Sequence, residues 1–238
     1  MSITFPRRRR IYLMRHGEVQ YFDGTGQPFR PDEVPLTDRG HAQAAAAREW
    51  IARVELDRAI VSPLRRTKET AAGVLGSRDL PVIEMEDLKE ISPGKLRDLP
   101  MDPASIQRIF TQAFGVSLTP DETFLGGETF GSLLARIDRA IERLLADDSW
   151  KNLLIVAHGG VNRAILARAL GSGLASFGRL EQEPCCLNII DVDEQGRMLV
   201  RMINFSASNP IQLGSRLTTM EELFAQYLGI PTDETSGT

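Results

Sequence analysis

Cysteines and long apolar runs are scarce in this chain, and each scarcity excludes a class of protein. The only two cysteines are adjacent, Cys185 and Cys186, so the sequence indicates neither a disulfide framework nor the paired spacing of a zinc site. No apolar run approaches the length of a membrane span, so we expect no membrane association. The formal net charge of −4 gives no reason to expect nucleic acid as a partner. Together these features favour the reducing cytoplasm as the compartment.

The basic run near the start does not have the pattern of a signal peptide. Arg7–Arg10 is followed by only four apolar residues before Arg15 interrupts, which is too short for the apolar core of such a signal. We interpret the run as a solvated segment that leads into a strand. At the other end, the small polar residues 231–238 predict a flexible tail.

Alternating strand and helix patterns predict a single α/β domain over residues 1–230. The predicted strands are 11–14, 58–61, 80–85 and 152–157, and the predicted helices are about 38–53, 62–75, 104–114, 128–146, 159–170 and 220–228. This order predicts three layers, with a mainly parallel central sheet between helices on both faces. A hairpin over about 186–203 would add an antiparallel edge strand. Proline and glycine break the pattern over 88–127, which we interpret as an inserted cap.

Cationic and reactive side chains follow three of the predicted strands. Arg15 and His16 end the first strand, Arg66 follows the second, and His158 and Gly159 follow the fourth. If these strands are parallel neighbours, the side chains meet at one edge of the sheet, where ligands of such sheets bind. Gathering like charges costs free energy through repulsion and desolvation. A phosphoryl group would offset that cost because it accepts paired guanidinium contacts.

Local signals at these strand ends support an anion site. Gly17 would let the backbone approach a ligand closely, and Gly159 opens a helix whose N-terminal amides can bind anions. Ser62 is a suitable N-cap for the second helix, with Pro63 as its first residue. Arg65 and Arg66 would then lie in the first turn, where the helix dipole disfavours positive charge, so we expect a binding role for at least one of them. By contrast, we expect His41, Lys68 and Glu69 to lie on solvated helical faces.

The motifs resemble those of a known family. The matching segments, in order, are Arg15-His16-Gly17-Glu18, Pro35-Leu36-Thr37 with Gly40, Ser62-Pro-Leu-Arg-Arg-Thr67, Gly126-Gly127-Glu128 and Val156-Ala-His-Gly-Gly160. This order is similar to that of the histidine phosphatase superfamily, which includes cofactor-dependent phosphoglycerate mutases, fructose-bisphosphatases and broad-specificity phosphatases. The resemblance spans residues 11 to about 170, and it implies a phosphoglycerate mutase-like fold.

The resemblance also implies a two-step phosphoryl transfer. His16 would attack phosphorus as the neutral imidazole, and water would then hydrolyse the phosphohistidine. Arg15, Arg66 and His158 would surround the phosphoryl oxygens, with Gly159 as a further phosphate-binding residue. The segment around Glu90 matches the motif of the proton donor. The nearby alternatives for that role are Glu84, Glu86 and Asp87. The family chemistry requires no metal and no cofactor.

Departures from the family pattern bear on the substrate. Tyr21-Phe22 stands where family members often carry an asparagine, and residues 91–100 do not match the mutase tract that holds a second phosphate. We therefore favour a metal-independent phosphomonoesterase acting on a small phosphorylated metabolite. The alternatives are a phosphoglycerate mutase-type phosphotransferase and a weakly active, phospholigand-binding regulatory protein. A homodimer could form through the hairpin edge or the C-terminal helix. Four phenylalanines could line an apolar subsite, although we expect most of them to pack against the sheet: Phe22, Phe29, Phe110 and Phe114.

Overall fold

The described part of the chain folds as one α/β unit with a six-stranded sheet. The structure, a computed structural model, describes residues 6–23, 27–95, 102–115, 117–213 and 216–230. The strands are β1 (Arg8–Arg15), β2 (Arg58–Val61), β3 (Val82–Glu84), β4 (Asn152–Ala157), β5 (Leu187–Asp193) and β6 (Met198–Phe205). The helices are α1 (Asp38–Ile51), α2 (Arg65–Leu75), α3 (Pro103–Gln112), α4 (Phe130–Ala146), α5 (Gly159–Leu170), α6 (Leu174–Phe177) and α7 (Thr219–Leu228).

The strand order places three chemically important strand ends side by side. The order across the sheet is β3-β2-β4-β1-β5-β6, and the first four of these strands are parallel. In the register, Arg15 of β1 pairs with Ala157 of β4, and Val61 of β2 pairs with Val156. The carboxyl ends of β1, β2 and β4 therefore lie at one edge, as predicted. The hairpin β5-β6 adds two antiparallel strands next to β1, which confirms the predicted antiparallel edge.

Both faces of the sheet are covered, and the alternation of side chains along β1 shows this directly. Ile11 and Leu13 point into one apolar core, together with α3, α4, α5 and α7. Tyr12 and Met14 point into the other, which α1 and α2 cover. Because successive side chains of a strand face opposite sides, a strand that is apolar at every position needs a helical layer on each face. The predicted three-layer architecture is confirmed.

The arginine run differs from its predicted role as a solvated lead-in. Arg8, Arg9 and Arg10 already belong to β1. The guanidinium of Arg9 lies over the ring of Trp150, 4.3 Å from its centroid, and Arg10 forms an ion pair with Asp191 at 2.6 Å. The long side chains bury their stems against the sheet while keeping their charges paired, so the strand begins earlier than its apolar residues indicate.

The predicted cap region 88–127 is described in part, because residues 96–101 and 116 lie outside the described ranges. Its helix α3 packs against α7 through Phe110, whose ring centroid lies 5.5 Å from that of Phe224 and 5.6 Å from that of Tyr227. The predicted tail, residues 231–238, also lies outside the described residues. Within the described ranges, every helix is too short or too polar to cross a lipid bilayer.

Candidate active site

The histidines that follow β1 and β4 lie beside each other at the carboxyl edge of the sheet. The ring centroids of His16 and His158 are 5.2 Å apart, and the two side chains are 1% and 0% exposed. Arg15 and Arg66 are buried at the same edge. The predicted convergence of two histidines and two arginines is present. Parallel pairing of β2, β4 and β1 brings together residues more than 90 positions apart in the chain.

His16 is held in one tautomer and kept uncharged. Its Nδ1 lies 2.7 Å from the carbonyl oxygen of Gly17, which can only accept a hydrogen bond, so Nδ1 carries the proton and Nε2 keeps its lone pair. Burial lowers the pKa of His16 well below its usual value, and the charges of Arg66 and Arg15 lower it further. A neutral imidazole with a free Nε2 is the form that acts as a nucleophile.

His158 contacts Ser62, the residue that the sequence predicts as the N-cap of α2. Nε2 of His158 lies 2.8 Å from the hydroxyl oxygen of Ser62. The prediction of Ser62 as N-cap was wrong, because α2 begins two residues later than predicted, with Leu64 at the cap position. The hydroxyl of Thr67 donates to the carbonyl oxygens of Ser62 and Leu64, which fixes this turn. Burial lowers the pKa of His158 well below its usual value, with Arg66 as the next cause.

Each of the two buried arginines keeps one donor without a partner among the described residues. Arg15 donates through Nη1 to the carbonyl oxygen of Gln182, and Arg66 donates through Nη1 to that of Pro31 at 2.7 Å. The Nε atoms of both arginines, and Nδ1 of His158, make no hydrogen bond within the described chain. Buried polar atoms are normally paired, so two guanidinium donors and one imidazole nitrogen without a partner beside His16 indicate a site built to receive a ligand that hydrogen-bonds to them.

Arg65, the other arginine of the first turn of α2, has a different environment. Its Nε donates to Oε1 of Glu69 at 2.6 Å on the exposed side of the helix. Oε2 of Glu69 accepts from the backbone amide of Leu36 at 2.8 Å. Glu69 is therefore not the merely solvated residue that we predicted, because it ties α2 to the segment before α1. Of the two arginines, Arg66 is the one that faces the candidate site.

Glu90 lies across the site from α2, held by two backbone amides. Oε2 accepts from the amide of Gly160 at 3.0 Å, and Oε1 accepts from that of Ile91 at 2.9 Å. A Cβ added at Gly160 would lie 2.6 Å from Oε1 of Glu90, so glycine provides the space that this carboxylate occupies. Glu90 and Gly159 both line the cavity at this edge. The three alternatives do not line it, and each pairs with a cation: Glu84 with Lys68, Glu86 with Lys89 and Asp87 with Arg143.

Gly17 is required by a close contact with the backbone of Gly40, a reason that the sequence did not indicate. A Cβ at Gly17 would lie 2.7 Å from the carbonyl oxygen of Gly40, and a Cβ at Gly40 would lie 2.3 Å from that of Glu18. Oε1 of Glu18, whose role the sequence left open, accepts a hydrogen bond from the hydroxyl of Thr37 at 2.9 Å. Thr37 also caps α1 by accepting from the amide of Gly40 at 3.0 Å. Together these contacts attach the end of β1 to the start of α1.

A cavity of about 480 Å³ opens next to the charged residues, and its wall is largely aromatic. All four predicted phenylalanines line it: Phe22, Phe29, Phe110 and Phe114. Phe110 and Phe114 also pack with the sheet residues of the core, as expected for most of these rings. Phe22 meets Tyr227 of α7 at 5.7 Å, and Phe114 stacks on Phe124 at 5.1 Å.

Sequence reasoning missed a polar network that connects Arg15 to α7. Arg163, on α5, is 3% exposed and pairs through Nη2 with Oε1 of Glu181 at 2.8 Å. The hydroxyl of Thr219, the first residue of α7, donates to the same Oε1 at 2.5 Å and lies 3.3 Å from Nη1 of Arg15. The available signal was an arginine followed directly by four apolar residues of α5, since an unexplained buried charge requires a partner.

Within the described ranges, no three His, Cys, Asp or Glu side chains come together in a way that could hold a metal ion. The adjacent thiols of Cys185 and Cys186 are free and buried, and burial raises the pKa of each to about 12. Neither thiol is therefore a thiolate ligand or nucleophile near neutral pH.

Comparison with known proteins agrees with this geometry. The family model described as histidine phosphatase superfamily (branch 1) matches residues 11–204. The adenosylcobalamin/alpha-ribazole phosphatase of Salmonella typhimurium is 30% identical over 203 residues, which cover 83% of this chain and 97% of that protein. The crystal structure of the alpha-ribazole phosphatase from Shigella flexneri superposes with a TM-score of 0.68 at 29% identity, covering 82% of this chain and 96% of that one.

Plant relatives are longer than this chain. The 2-carboxy-D-arabinitol-1-phosphatase of Triticum aestivum is 29% identical over 219 residues, which cover 87% of this chain but 43% of that protein. The match to an Arabidopsis thaliana relative likewise covers 45% of that protein. The chain thus spans less than half the length of these two relatives.

Proposed function

This chain belongs to branch 1 of the histidine phosphatase superfamily, and from that membership and its site we propose that it is a metal-independent phosphomonoesterase. Its reaction is the hydrolysis of a small phosphorylated metabolite through a phosphohistidine on His16. The two bacterial relatives compared above are named as phosphatases, which supports hydrolysis over isomerisation. The free and buried thiols of Cys185 and Cys186 support the reducing cytoplasm as the compartment.

One observation carries the proposal. Nε of Arg15, Nε of Arg66 and Nδ1 of His158 are buried atoms without a partner in the described chain, and they lie beside a neutral His16. A transferring phosphoryl group has three equatorial oxygens whose charge must be stabilised, and its catalysis is largely positioning and electrostatics. Oxygens of the substrate would pair both guanidinium donors, and His158 would donate to a third oxygen in the tautomer that carries its proton on Nδ1.

The first step forms a bond between Nε2 of His16 and phosphorus while the bond from phosphorus to the alcohol oxygen breaks. The electron pair of that bond leaves with the alcohol oxygen, which takes a proton from the carboxyl group of Glu90. Arg15, Arg66 and His158 hold the phosphoryl oxygens during the transfer.

The second step returns the site to its starting state. Glu90, now a carboxylate, removes a proton from water, and the water oxygen forms a bond to phosphorus as the bond from phosphorus to Nε2 breaks. Inorganic phosphate leaves, the lone pair returns to Nε2, and Glu90 is again protonated. Hydrogen bonding of Nδ1 to the carbonyl oxygen of Gly17 keeps the imidazole in one orientation through both steps.

Replacing the nucleophile tests the proposal. We expect His16→Ala to lower kcat for p-nitrophenyl phosphate by on the order of 10⁴-fold or more, since no other group supplies the covalent path. Wild-type protein quenched during turnover should carry acid-labile phosphate on His16. Both assays are run in a chelator, so that they also test metal independence.

His41→Ala is the matched control, because His41 is an exposed residue of α1 away from the cavity. It should leave kcat unchanged. Turnover that persists in His16→Ala, or stops in chelator, would refute the proposed reaction.

A further inference from the structure

The cavity beside the phosphoryl site is too large and too apolar for a small polar alcohol. Its volume of about 480 Å³ falls within the roughly 300–1,000 Å³ typical of sites for drug-sized ligands. Three segments distant in sequence supply the wall: residues 19–23 and 27–35, the region around α3, and α7. The aromatic members are Tyr21, Phe22, Phe29, Phe110, Phe114 and Phe124.

The aromatic wall is fixed in place and lies next to Arg15 and Arg66, the two arginines of the phosphate clamp. Phe110 stacks on Tyr227 with 5.6 Å between centroids, and the ring of Phe22 lies 5.7 Å from Tyr227 on its edge. The guanidinium of Arg66 lies 5.9 Å from the ring centroid of Tyr21. An alcohol group bound through its phosphate at Arg66 would therefore meet aromatic surface immediately.

The described parts of the loop after β1, residues 19–23 and 27–29, are held against α7 and form part of the wall. The side-chain amide of Gln226 accepts from the backbone amide of Tyr21 at 3.2 Å and donates to the carbonyl oxygen of Val19 at 3.4 Å. Within the loop, the amide of Phe29 donates to the carbonyl oxygen of Tyr21 at 2.9 Å. These bonds place Phe29 at the mouth, where its side chain is 41% exposed.

Apart from Arg15 and Arg66, the cations at or near the described lining already have a carboxylate partner, including Arg163, which lies behind Gly159 and pairs with Glu181 at 2.8 Å. Lys89 is the one other basic residue among the lining side chains, and it pairs with Glu86 at 2.7 Å. Glu222 of α7 lines the same wall, and its pKa is raised by burial and then, against the opposing charge of Arg15, by the carboxylates of neighbouring glutamates. A carboxylate or second phosphate on the substrate would lose its hydration here without gaining a partner.

We propose that the alcohol part of the natural substrate is uncharged and largely apolar and carries a ring, and that this cavity rejects phosphomonoesters with a second anionic group. This inference rests on the proposed function and specifies its substrate class. The ring binds between Phe29 at the mouth and the inner wall formed by α3 and α7, while the phosphoryl group lies between Arg15 and Arg66.

A set of three primary alkyl phosphates tests the inference, because their leaving groups are nearly alike. They are 3-phenylpropyl phosphate, propyl phosphate and 3-phosphooxypropanoate. We expect kcat/KM of wild-type protein to be on the order of 100-fold higher for the phenylpropyl ester than for the carboxylate ester, with the propyl ester between them. Equal or faster turnover of the carboxylate ester would overturn the inference and leave the phosphatase proposal standing. If none of the three esters is hydrolysed, both the inference and the phosphatase proposal are overturned.

Two variants locate the selectivity in this wall. Phe29→Ala should lower kcat/KM for the phenylpropyl ester by about tenfold and leave that for the propyl ester unchanged. Leu223→Lys on α7 should raise kcat/KM for the carboxylate ester by about tenfold through a new charge pair.

Trp50→Ala is the matched control for Phe29→Ala. Trp50 is a similarly exposed aromatic residue, but it packs on Phe205 at 5.0 Å, away from the cavity. Its truncation should therefore leave kcat/KM unchanged for both esters. Phe29 is half exposed, and its truncation should therefore not unfold the chain. If Phe29→Ala lowers kcat/KM for both esters equally, or if Trp50→Ala has the same effect as Phe29→Ala, the ring does not bind at this wall.

Discussion

At the scale of single residues, the position of Glu90 depends on a glycine that it does not adjoin in sequence. Gly160, the second residue of α5, donates its amide to Oε2 of Glu90, and its missing side chain leaves room for Oε1. The proposed proton donor is therefore held by hydrogen bonds and steric fit rather than by an ion pair. Such a carboxylate can be displaced without touching the phosphate clamp.

Gly160→Ala should remove the function of Glu90 while keeping the fold. The added Cβ would lie 2.6 Å from a side-chain oxygen that can move away, and alanine is the better helix former. We expect kcat/KM for an alkyl phosphate to fall by about 100-fold, the usual contribution of a general acid. The fall in kcat/KM for p-nitrophenyl phosphate should be much smaller, because its leaving group needs no proton and kcat/KM does not include the later hydrolysis of the phosphohistidine.

Gly73→Ala on α2 controls for the effect of adding a methyl group to a helix. Its Cβ would meet Cβ of Ala44 at 2.9 Å, far from the site, so it should lower Tm without changing the ratio of the two kcat/KM values. If Gly160→Ala lowers kcat/KM for both substrates equally, Glu90 is not the proton donor to the leaving group.

At the scale of elements, the junction between β1 and α1 determines where His16 lies. Gly17 and Gly40 bring two backbones into contact, and Glu18 and Thr37 are hydrogen-bonded across that contact. These contacts explain why Gly17 and Glu18 accompany Arg15 and His16 in one motif. Arg15 and His16 act on the ligand in the proposed mechanism. Gly17 and Glu18 fix the strand end that carries them.

Gly40→Ala should destabilise the chain markedly. Its Cβ would lie 2.3 Å from the carbonyl oxygen of Glu18, and both groups are backbone, so neither can rotate away. We expect a loss of about 3 kcal/mol in the free energy of unfolding by urea, at the upper end for overpacking. Because the strand end shifts, kcat/KM for p-nitrophenyl phosphate should fall as well.

Gly171→Ala, at the C-terminus of α5, separates this effect from the general cost of replacing a glycine. Gly171 has φ of +66° and no atom within 4 Å of an added Cβ, so its cost is backbone strain of about 1 kcal/mol with no loss of activity. A Gly40→Ala protein as stable as the wild type would contradict the close contact between the two backbones.

At the scale of the whole molecule, two buried histidines make folding depend on pH. The pKa values of His16 and His158 are both lowered by burial and by the neighbouring arginines, well below the value of about 6.5 expected in the unfolded chain. Below that pH the unfolded state takes up protons that the folded state does not. The stabilisation is therefore complete above pH 6.5 and is lost as the pH falls towards the folded-state values.

We expect the free energy of unfolding by urea to decrease from pH 6.5 to pH 5. Each such histidine contributes a slope that approaches about 1.36 kcal/mol per pH unit, so the two together approach about 2.7 kcal/mol per unit. Carboxylates with lowered pKa values, such as Glu69 and Asp191, act in the same direction but at more acidic pH.

The measurement needs phosphate-free buffer, because an anion bound to the folded state would add its own stabilisation. His16→Gln should reduce the slope by about half, since one of two titrating groups is removed. A free energy of unfolding that stays constant or rises between pH 6.5 and pH 5 would show that the two imidazoles are not held neutral.

The sequence by itself determined the layered fold and the order of the site motifs. Apolar runs such as Leu153–Ala157 predict strands buried on both faces because no other short element hides every side chain, and parallel strands place their following residues at one edge. Arg15, His16, Arg66 and His158 could thus be grouped before any coordinates, and Glu90 was named from the family resemblance.

Only the tertiary structure decided what these residues touch. The contact of Ser62 with His158, the packing of Gly17 on Gly40, and the network of Arg163 with Thr219 all join segments far apart in the chain. The aromatic wall is assembled in the same way from three separate segments. Local patterns depend on the period of one element, whereas these contacts depend on how elements pack, and the packing determines which alcohol the cavity can accept.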